Sequence, residues 1–415
     1  MKKNYKVITG CVFVGLAAIS QYAQADGYRN PPSTAEGIAK SGANSVWVDD
    51  ASAISYNPAN LAFQTNQSFV LSTTFARTEN EYTVPTVGTF ESSGDWNMLP
   101  NLFYSQPIGE NGWALGLGIT TPFGQGLSWE YDDFETLTGY SNMVPYEANV
   151  ALIDLNPTIA FKVHEDVSIG IGVDFYLSQL GLTAVQGITT NVDFGPPLGM
   201  VLIQDNFKVE AESYGWGIGA NAGMSWDIAD GHRFSATYRS AFEIEYSGKV
   251  KVDGQPDSDF DTAVKYPNIV SLGYGVQLTE RVQIETMVEW LNWSNNESQI
   301  IEIEGQPPTE LVNNWDDTFT FGLGGSWQAL DTLAVRAGYA YIPSPIPDDT
   351  ITHLLPDADR HAISFGLGYT RGAHTVDLAY TFSIYEDRSA PADGAGPGLY
   401  DIDSNLVGLT YSASF

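Results

Sequence analysis

The chain finishes on a strict alternation: Val407, Leu409, Tyr411, Ala413 and Phe415 fall on one face of an extended segment, and smaller or polar residues fall on the other. That is the period of a β-strand. A strand that carries aromatic and aliphatic side chains to its last residue suits lipid better than water, because an outer-membrane barrel pairs its final strand and turns such side chains outward. The same rhythm recurs in Trp113/Leu115/Leu117/Ile119, Val167/Ile169/Ile171/Val173/Phe175, Phe319/Phe321/Leu323 and Val376/Leu378/Tyr380/Phe382/Ile384. Beyond the N-terminal leader no apolar run approaches the ~20 residues a membrane helix needs. The expected fold is all-β, a transmembrane antiparallel β-barrel.

The connections between these runs alternate in length, as periplasmic turns and extracellular loops do. Tight turns are predicted at Gly109–Gly112, His164–Asp166, Ala229–Gly231, Thr279–Glu280, Ala329–Asp331 and Arg371–Ala373. Long loops are predicted at Thr121–Pro145, Leu182–Leu202, Val252–Val264, Gly305–Asn314, Ile342–Asp359 and Glu386–Ser404. Strands on both sides of six short turns, with one before and one after, make about 14 strands. Alternation turns Gly, Ala, Ser and Thr inward with a few charges, Asp174, Arg239, Glu285, Glu289, Arg336 and Asp377. A barrel of that size is too wide for its own side chains to fill, so it must hold water, a plug or a ligand.

At the other end, Lys2, Lys3 and Lys6 precede an apolar stretch from Val7 to Ile19 and a small-residue cleavage site, Ala23-Gln24-Ala25, which reads as a signal peptide over 1–25. Cys11, the one cysteine, sits inside that stretch. Net charge is −32, and −35 once the three leader lysines are removed, which argues against a nucleic-acid partner. The acids gather in loops such as Asp348–Asp359, facing solvent or bridged by divalent cations to the lipopolysaccharide around the barrel.

Residues 26–65 precede the first convincing strand, Ser68–Ala76, and alternate little. Ser33-Thr34-Ala35-Glu36 suits a helix cap. The pattern by itself admits a periplasmic leader or a plug folded into the lumen. Asp49-Asp50-Ala51-Ser52 followed by Tyr56-Asn57-Pro58-Ala59-Asn60-Leu61 resembles the N-terminal hatch of the FadL family of outer-membrane transporters for long-chain fatty acids and hydrocarbons. The resemblance continues through Thr121-Pro122-Phe123-Gly124, Asn156-Pro157-Thr158, Arg336-Ala337-Gly338-Tyr339 and Leu355-Pro356-Asp357-Ala358-Asp359-Arg360, in order, over nearly the whole chain after the leader. It implies a fourteen-stranded barrel over 66–415 plugged by a hatch over 26–65, in the outer membrane of a Gram-negative bacterium. It further implies capture of cargo by apolar extracellular loops, an interior pocket, and sideways release through a gap made by a kinked strand. The expected cargo is a long-chain fatty acid, with neutral hydrocarbons as the alternative.

Asp49, Asp50, Asn57, Pro58 and Ala59 are the expected hatch and gating residues. The loop after Thr121 holds Phe123, Leu127, Trp129 and Phe134, an apolar density suited to capture, and Phe194 and Leu198 are expected on the opposing wall; loop-on-loop packing is the other reading. Arg239 and Arg336 point inward, either as partners for a carboxylate or as members of a lumen charge network. The neighbourhoods of Leu99–Leu102 and of Gly116 and Gly118 are candidates for the gap. Histidines 164, 232, 353, 361 and 374 form no triad or metal-ligand spacing, so neither enzyme nor cofactor is expected, and a monomer is. A hydrophilic porin would need neither the apolar loop nor the plug.

Overall fold

A computed structural model describes residues 26–415 apart from 110, 131, 133–136, 138–142, 194–199 and 253–255. The expected signal peptide with Cys11, and Phe134, Phe194 and Leu198, lie outside the described residues. Fourteen staves form one closed antiparallel barrel: β1 (Ser68–Val84), β2 (Asn97–Ile108), β3 (Trp113–Thr120), β4 (Met143–His164), β5 (Val167–Asp193), β6 (Met200–Ala229) and β7 (His232–Arg239, resuming as Phe242–Val252). They continue with β8 (Ser258–Tyr266, resuming as Ile269–Thr279), β9 (Val282–Leu291), β10 (Thr318–Leu330), β11 (Leu333–Ile342), β12 (Arg360–Arg371), β13 (His374–Tyr385) and β14 (Gly398–Ser414). β14 pairs with β1 from Ser68↔Ser414 to Thr83↔Leu399, and β1 pairs with β2 on its other side. Closure leaves no row of unpaired N–H and C=O groups in hydrocarbon, where each would cost several kcal/mol.

The two faces separate as the alternation requires. On β10, Phe319, Phe321 and Trp327 are 52%, 50% and 53% exposed while the intervening Thr318 and Thr320 are 3% and 4% exposed, so the greasy face meets lipid. All six expected short turns are present between the staves. The expected Leu182–Leu202 loop is instead mostly strand: β5 and β6 stay paired out to Asp193↔Met200. Backbone pairing extends beyond the membrane wherever a partner strand is at hand, so composition ends these strands too early. β7 and β8 are interrupted side by side at Ser240–Ala241 and Pro267–Asn268; Pro267 has no N–H to donate, and Asn268 Oδ1 accepts from the Ala241 N–H at 2.9 Å instead.

The segment before β1 lies inside the barrel. Helix α1 (Ala35–Ala39) begins at Thr34, whose Oγ1 accepts from the Gly37 N–H at 3.2 Å, and packs against β11 to β14. Helix α2 (Ala53–Tyr56) leads through Asn57 into a 3₁₀ helix, Pro58–Phe63, seated on β3 to β6. The plug thus bridges opposite walls, and the small inward residues are its seat. A Cβ at Gly338 would lie 2.3 Å from the carbonyl carbon of Lys40, and one at Gly170 2.3 Å from that of Pro58.

If this is the lipid boundary, depth decides the cost of a charge on the outer face. Leu378→Arg, mid-strand on β13, is expected to destabilise the barrel by about 2–4 kcal/mol, and Val163→Arg, beside a periplasmic turn, by about 0–1 kcal/mol. Urea unfolding in lipid vesicles measures both; equal costs would mean that the hydrocarbon band is misplaced.

Candidate functional site

Asn57 is the pivot of the hatch. Its Oδ1 accepts from the Ala59 N–H at 3.2 Å, which caps the 3₁₀ helix, and Pro58 at the first position sets the backbone angle. Its Nδ2 donates to Ser225 Oγ on β6 at 2.8 Å and to the Ser45 carbonyl at 3.1 Å. Asn60 Nδ2 reaches the carbonyls of Ser45, Val46 and Val48 at 3.2, 3.2 and 3.0 Å. Both asparagines are fully buried, as is Ala59. Asp50 accepts from the Ser52 N–H at 2.9 Å, and Asp49 lies exposed beside it.

Ion pairs hold the other half of the plug. Lys40, 2% exposed, reaches Glu36 at 2.7 Å and Glu285 on β9 at 3.0 Å. Arg336 on β11 pairs with Asp377 on β13 at 2.6 Å and with Glu36 at 3.0 Å. Despite burial, the Arg336 and Lys40 cations beside it pull Glu36 down to about 2. Arg239 lies against Asp154, at 3.0 Å, and Asp174. All six inward charges expected from alternation therefore face the lumen.

Above the plug is a cavity of about 190 Å³ whose floor includes Pro32, Ile38, Ile54 and Pro58 and whose walls include Phe123, Arg239, Glu289 and Arg360. Phe123 on its wall belongs to a buried aromatic cluster. Phe242 stacks on Tyr176 at 3.7 Å and on Tyr266 at 4.5 Å, Phe123 meets Tyr266 edge-on at 5.0 Å, and Tyr28 lies 4.9 Å from Trp315. Phe123 is thus a cavity residue, 1% exposed. Leu127 and Trp129 are buried farther out, under the Ile342–Asp359 loop, where Trp129 Nε1 donates to the His353 carbonyl at 3.1 Å. Arg239 borders the cavity; Arg336 serves the hatch. Composition did not single out Arg29 or the rings packed with Phe123. Arg29 carries a signal, being one of two basic residues between the expected leader and β1 in a strongly acidic chain. The rings come from distant segments and carry none.

The wall itself is incomplete between β2 and β3. The β2–β3 ladder ends at Leu102↔Ile119, so Asn97–Asn101 pair only with β1, and β3 stops before Thr121-Pro122-Phe123. The N-terminal segment fills this place: the Asn30 N–H donates to the Pro122 carbonyl at 3.0 Å, the Gly124 N–H to the Tyr28 carbonyl at 2.8 Å, and Arg29 opposes Phe123 as an isolated antiparallel bridge. Gly116 and Gly118 are not at the gap. Both sit in continuous ladders and face Ile54 of the plug.

A closed barrel stoppered by its own N-terminal segment, with a cavity above the stopper, defines a hatch-plugged outer-membrane transporter. The chain belongs to the family described as outer membrane protein transport protein (OMPP1/FadL/TodX), whose profile matches residues 16–415. It is similar to the long-chain fatty acid transport protein of Escherichia coli O6:H1, at 22% identity over 97% of both chains, and to the outer membrane protein NMB0088 of Neisseria meningitidis, at 25% identity over 97% of this chain and 98% of that one. Its fold matches a Pseudomonas aeruginosa FadL homologue with TM-score 0.79, at 19% identity over 94% of this chain and 100% of that one. It matches the Pseudomonas putida toluene transporter TodX with TM-score 0.71, at 16% identity over 94% of this chain and 99% of that one. Membership makes this chain an outer-membrane transport protein for hydrophobic molecules; the family is one of transporters, not of enzymes.

The loop over Trp129 should respond to acid. Burial pushes His353 from 6.5 down to about 4, while its Nε2–H donates to the Pro145 carbonyl at 2.6 Å. The folded loop prefers neutral imidazole, so this contribution is full above the unfolded pKa of 6.5 and is lost as pH falls through about 4. Amide exchange at Ile351–Leu355, corrected for intrinsic rates, is expected to rise across that window, and His353→Gln to flatten the response. An unchanged response in the variant would assign it elsewhere.

Proposed function

We propose that cargo is captured among the apolar extracellular loops, enters the cavity beside Phe123, and leaves sideways between β2 and β3 when Tyr28–Asn30 swings away from Phe123. The observation that carries this reading is the substitution of the N-terminal segment for a missing strand partner at the wall gap. Two backbone hydrogen bonds at about 0.5–1.5 kcal/mol each, the bond from Asn30 Nδ2 to the Thr121 carbonyl at 2.9 Å and the Arg29–Glu289 ion pair hold that segment to the wall, and opening must break them. The cavity with the plug seated is smaller than the ~300 Å³ at which pockets for drug-sized ligands begin, so a long chain fits only as the plug yields. Sideways release suits an apolar molecule, which gains nothing from a wet passage into the periplasm.

Within this reading Phe123 lines the path, Leu127 and Trp129 form the outer apolar surface under a loop that opens, and Asn57, Pro58 and Ala59 fix the part of the plug that stays. Relatives named for fatty acid transport and structures named for toluene transport both support an apolar cargo.

The test is a lock. Opposed residues of an antiparallel pair have Cα atoms about 4.5–5.5 Å apart, within disulfide range. The chain after the expected leader has no cysteine, so Arg29→Cys/Phe123→Cys adds the only pair. Cells with intact outer membranes are expected to take up labelled hydrophobic probes when this variant is reduced and to lose uptake when it is oxidised. Equal uptake in both states would rule out movement of Tyr28–Asn30 as the gate.

A further inference from the structure

Four basic side chains tie the hatch to the wall or border the cavity, and each is gripped by two carboxylates. Arg29 contacts Asp26 at 3.4 Å and Glu289; Lys40 contacts Glu36 and Glu285. Arg239 contacts Asp154 and Asp174, and Arg336 contacts Glu36 and Asp377. Four cations thus share seven carboxylates. A fifth basic group on the cavity, Arg360, is hydrogen-bonded to the Tyr385 hydroxyl at 3.5 Å and lies in the field of Asp26. A chain cleaved after Ala25 would add an α-amino group at Asp26 and still leave the carboxylates in excess.

The acids around this lumen are already short of counter-charge. Burial pushes Asp26 up to about 6 and Asp357, whose carboxylate accepts from the Gly27 N–H at 3.3 Å, up to about 7. An incoming carboxylate would meet the same loss of water, and Arg29 and Arg239 on the cavity are each already held by two carboxylates. To win one it must displace an internal acid and leave that acid buried and unpaired. An uncharged molecule meets neither obstacle, because the side chains of Phe123, Ile38, Ile54, Ile269 and Met287 on the cavity offer it apolar contact.

We propose that the cargo of this lumen is uncharged, a neutral hydrocarbon or a long-chain molecule with a neutral polar end, and that the doubled carboxylates exclude ionised fatty acids. This rests on the transport reading above and departs from the fatty-acid expectation. Arg239 and Arg336 are then structural cations rather than carboxylate receptors.

Oleyl alcohol and oleate share one chain and differ in charge. Initial uptake of each, radiolabelled, is measured in cells with intact outer membranes expressing the full chain, against a no-protein control, at mildly alkaline pH. Correct folding is checked by heat-modifiable gel mobility. The alcohol is expected to exceed oleate by roughly tenfold or more, about 1.4 kcal/mol of discrimination or more. Glu289→Gln, which leaves Arg29 with one carboxylate, is expected to raise the oleate-to-alcohol ratio. Equal protein-dependent uptake of both probes overturns the proposal and leaves the transport reading standing. Exclusion of oleate that is unchanged in Glu289→Gln overturns lumen charge as the cause. Uptake of neither probe by a folded barrel overturns the transport reading and this inference with it.

Discussion

Inside a bilayer no water is present to satisfy a backbone amide, so every N–H and C=O at membrane depth must find its partner in the protein. The pairing of β14 with β1 meets this demand for the whole sheet, and the rest of the molecule follows from it. Closure at fourteen staves gives a lumen too wide for the barrel's own side chains to fill. The N-terminal segment occupies that space, and glycines such as Gly170 and Gly338 let its backbone approach the wall.

The plug is held by two kinds of interaction with different consequences. Around the 3₁₀ helix, Asn57 and Asn60 bond backbone carbonyls and Ser225 in a fully buried setting, where loss of one partner leaves an expensive orphan. Around α1 the hold is ionic, through Lys40, Glu36, Arg336, Asp377 and Glu285. Ahead of both, Tyr28–Asn30 is held to the wall by its backbone bonds to Pro122 and Gly124, by Asn30 on the Thr121 carbonyl and by the Arg29–Glu289 pair.

The same economy governs the wall. β3 ends where Pro122 and the Asn97–Asn101 stretch leave a strand edge unpaired, a hazard in lipid unless something covers it. The N-terminal segment is that cover. The seal on the wall and the stopper of the lumen are therefore one piece of chain.

Much of this was legible in the residues. Alternation such as Phe319/Phe321 against Thr318/Thr320 assigned lipid and lumen faces, because side chains of a strand point to opposite sides whatever the tertiary context. Short turns marked by Gly109-Glu110-Asn111-Gly112 and its counterparts counted the staves, and Ser33-Thr34-Ala35-Glu36 announced the helix start that Thr34 caps. The height of the β5–β6 hairpin was not legible, because pairing depends on a neighbour as well as on the residues themselves. Nor was the burial of Trp129, which depends on a loop more than two hundred residues away in sequence. The meeting of Arg29 with Phe123 and Glu289, and the gathering of Tyr28, Phe123, Tyr266 and Trp315, likewise belong to the closed barrel alone. Periodicity is local and survives in one dimension, whereas a cavity, a gap and a charge balance arise only when distant segments are brought to the same point in space.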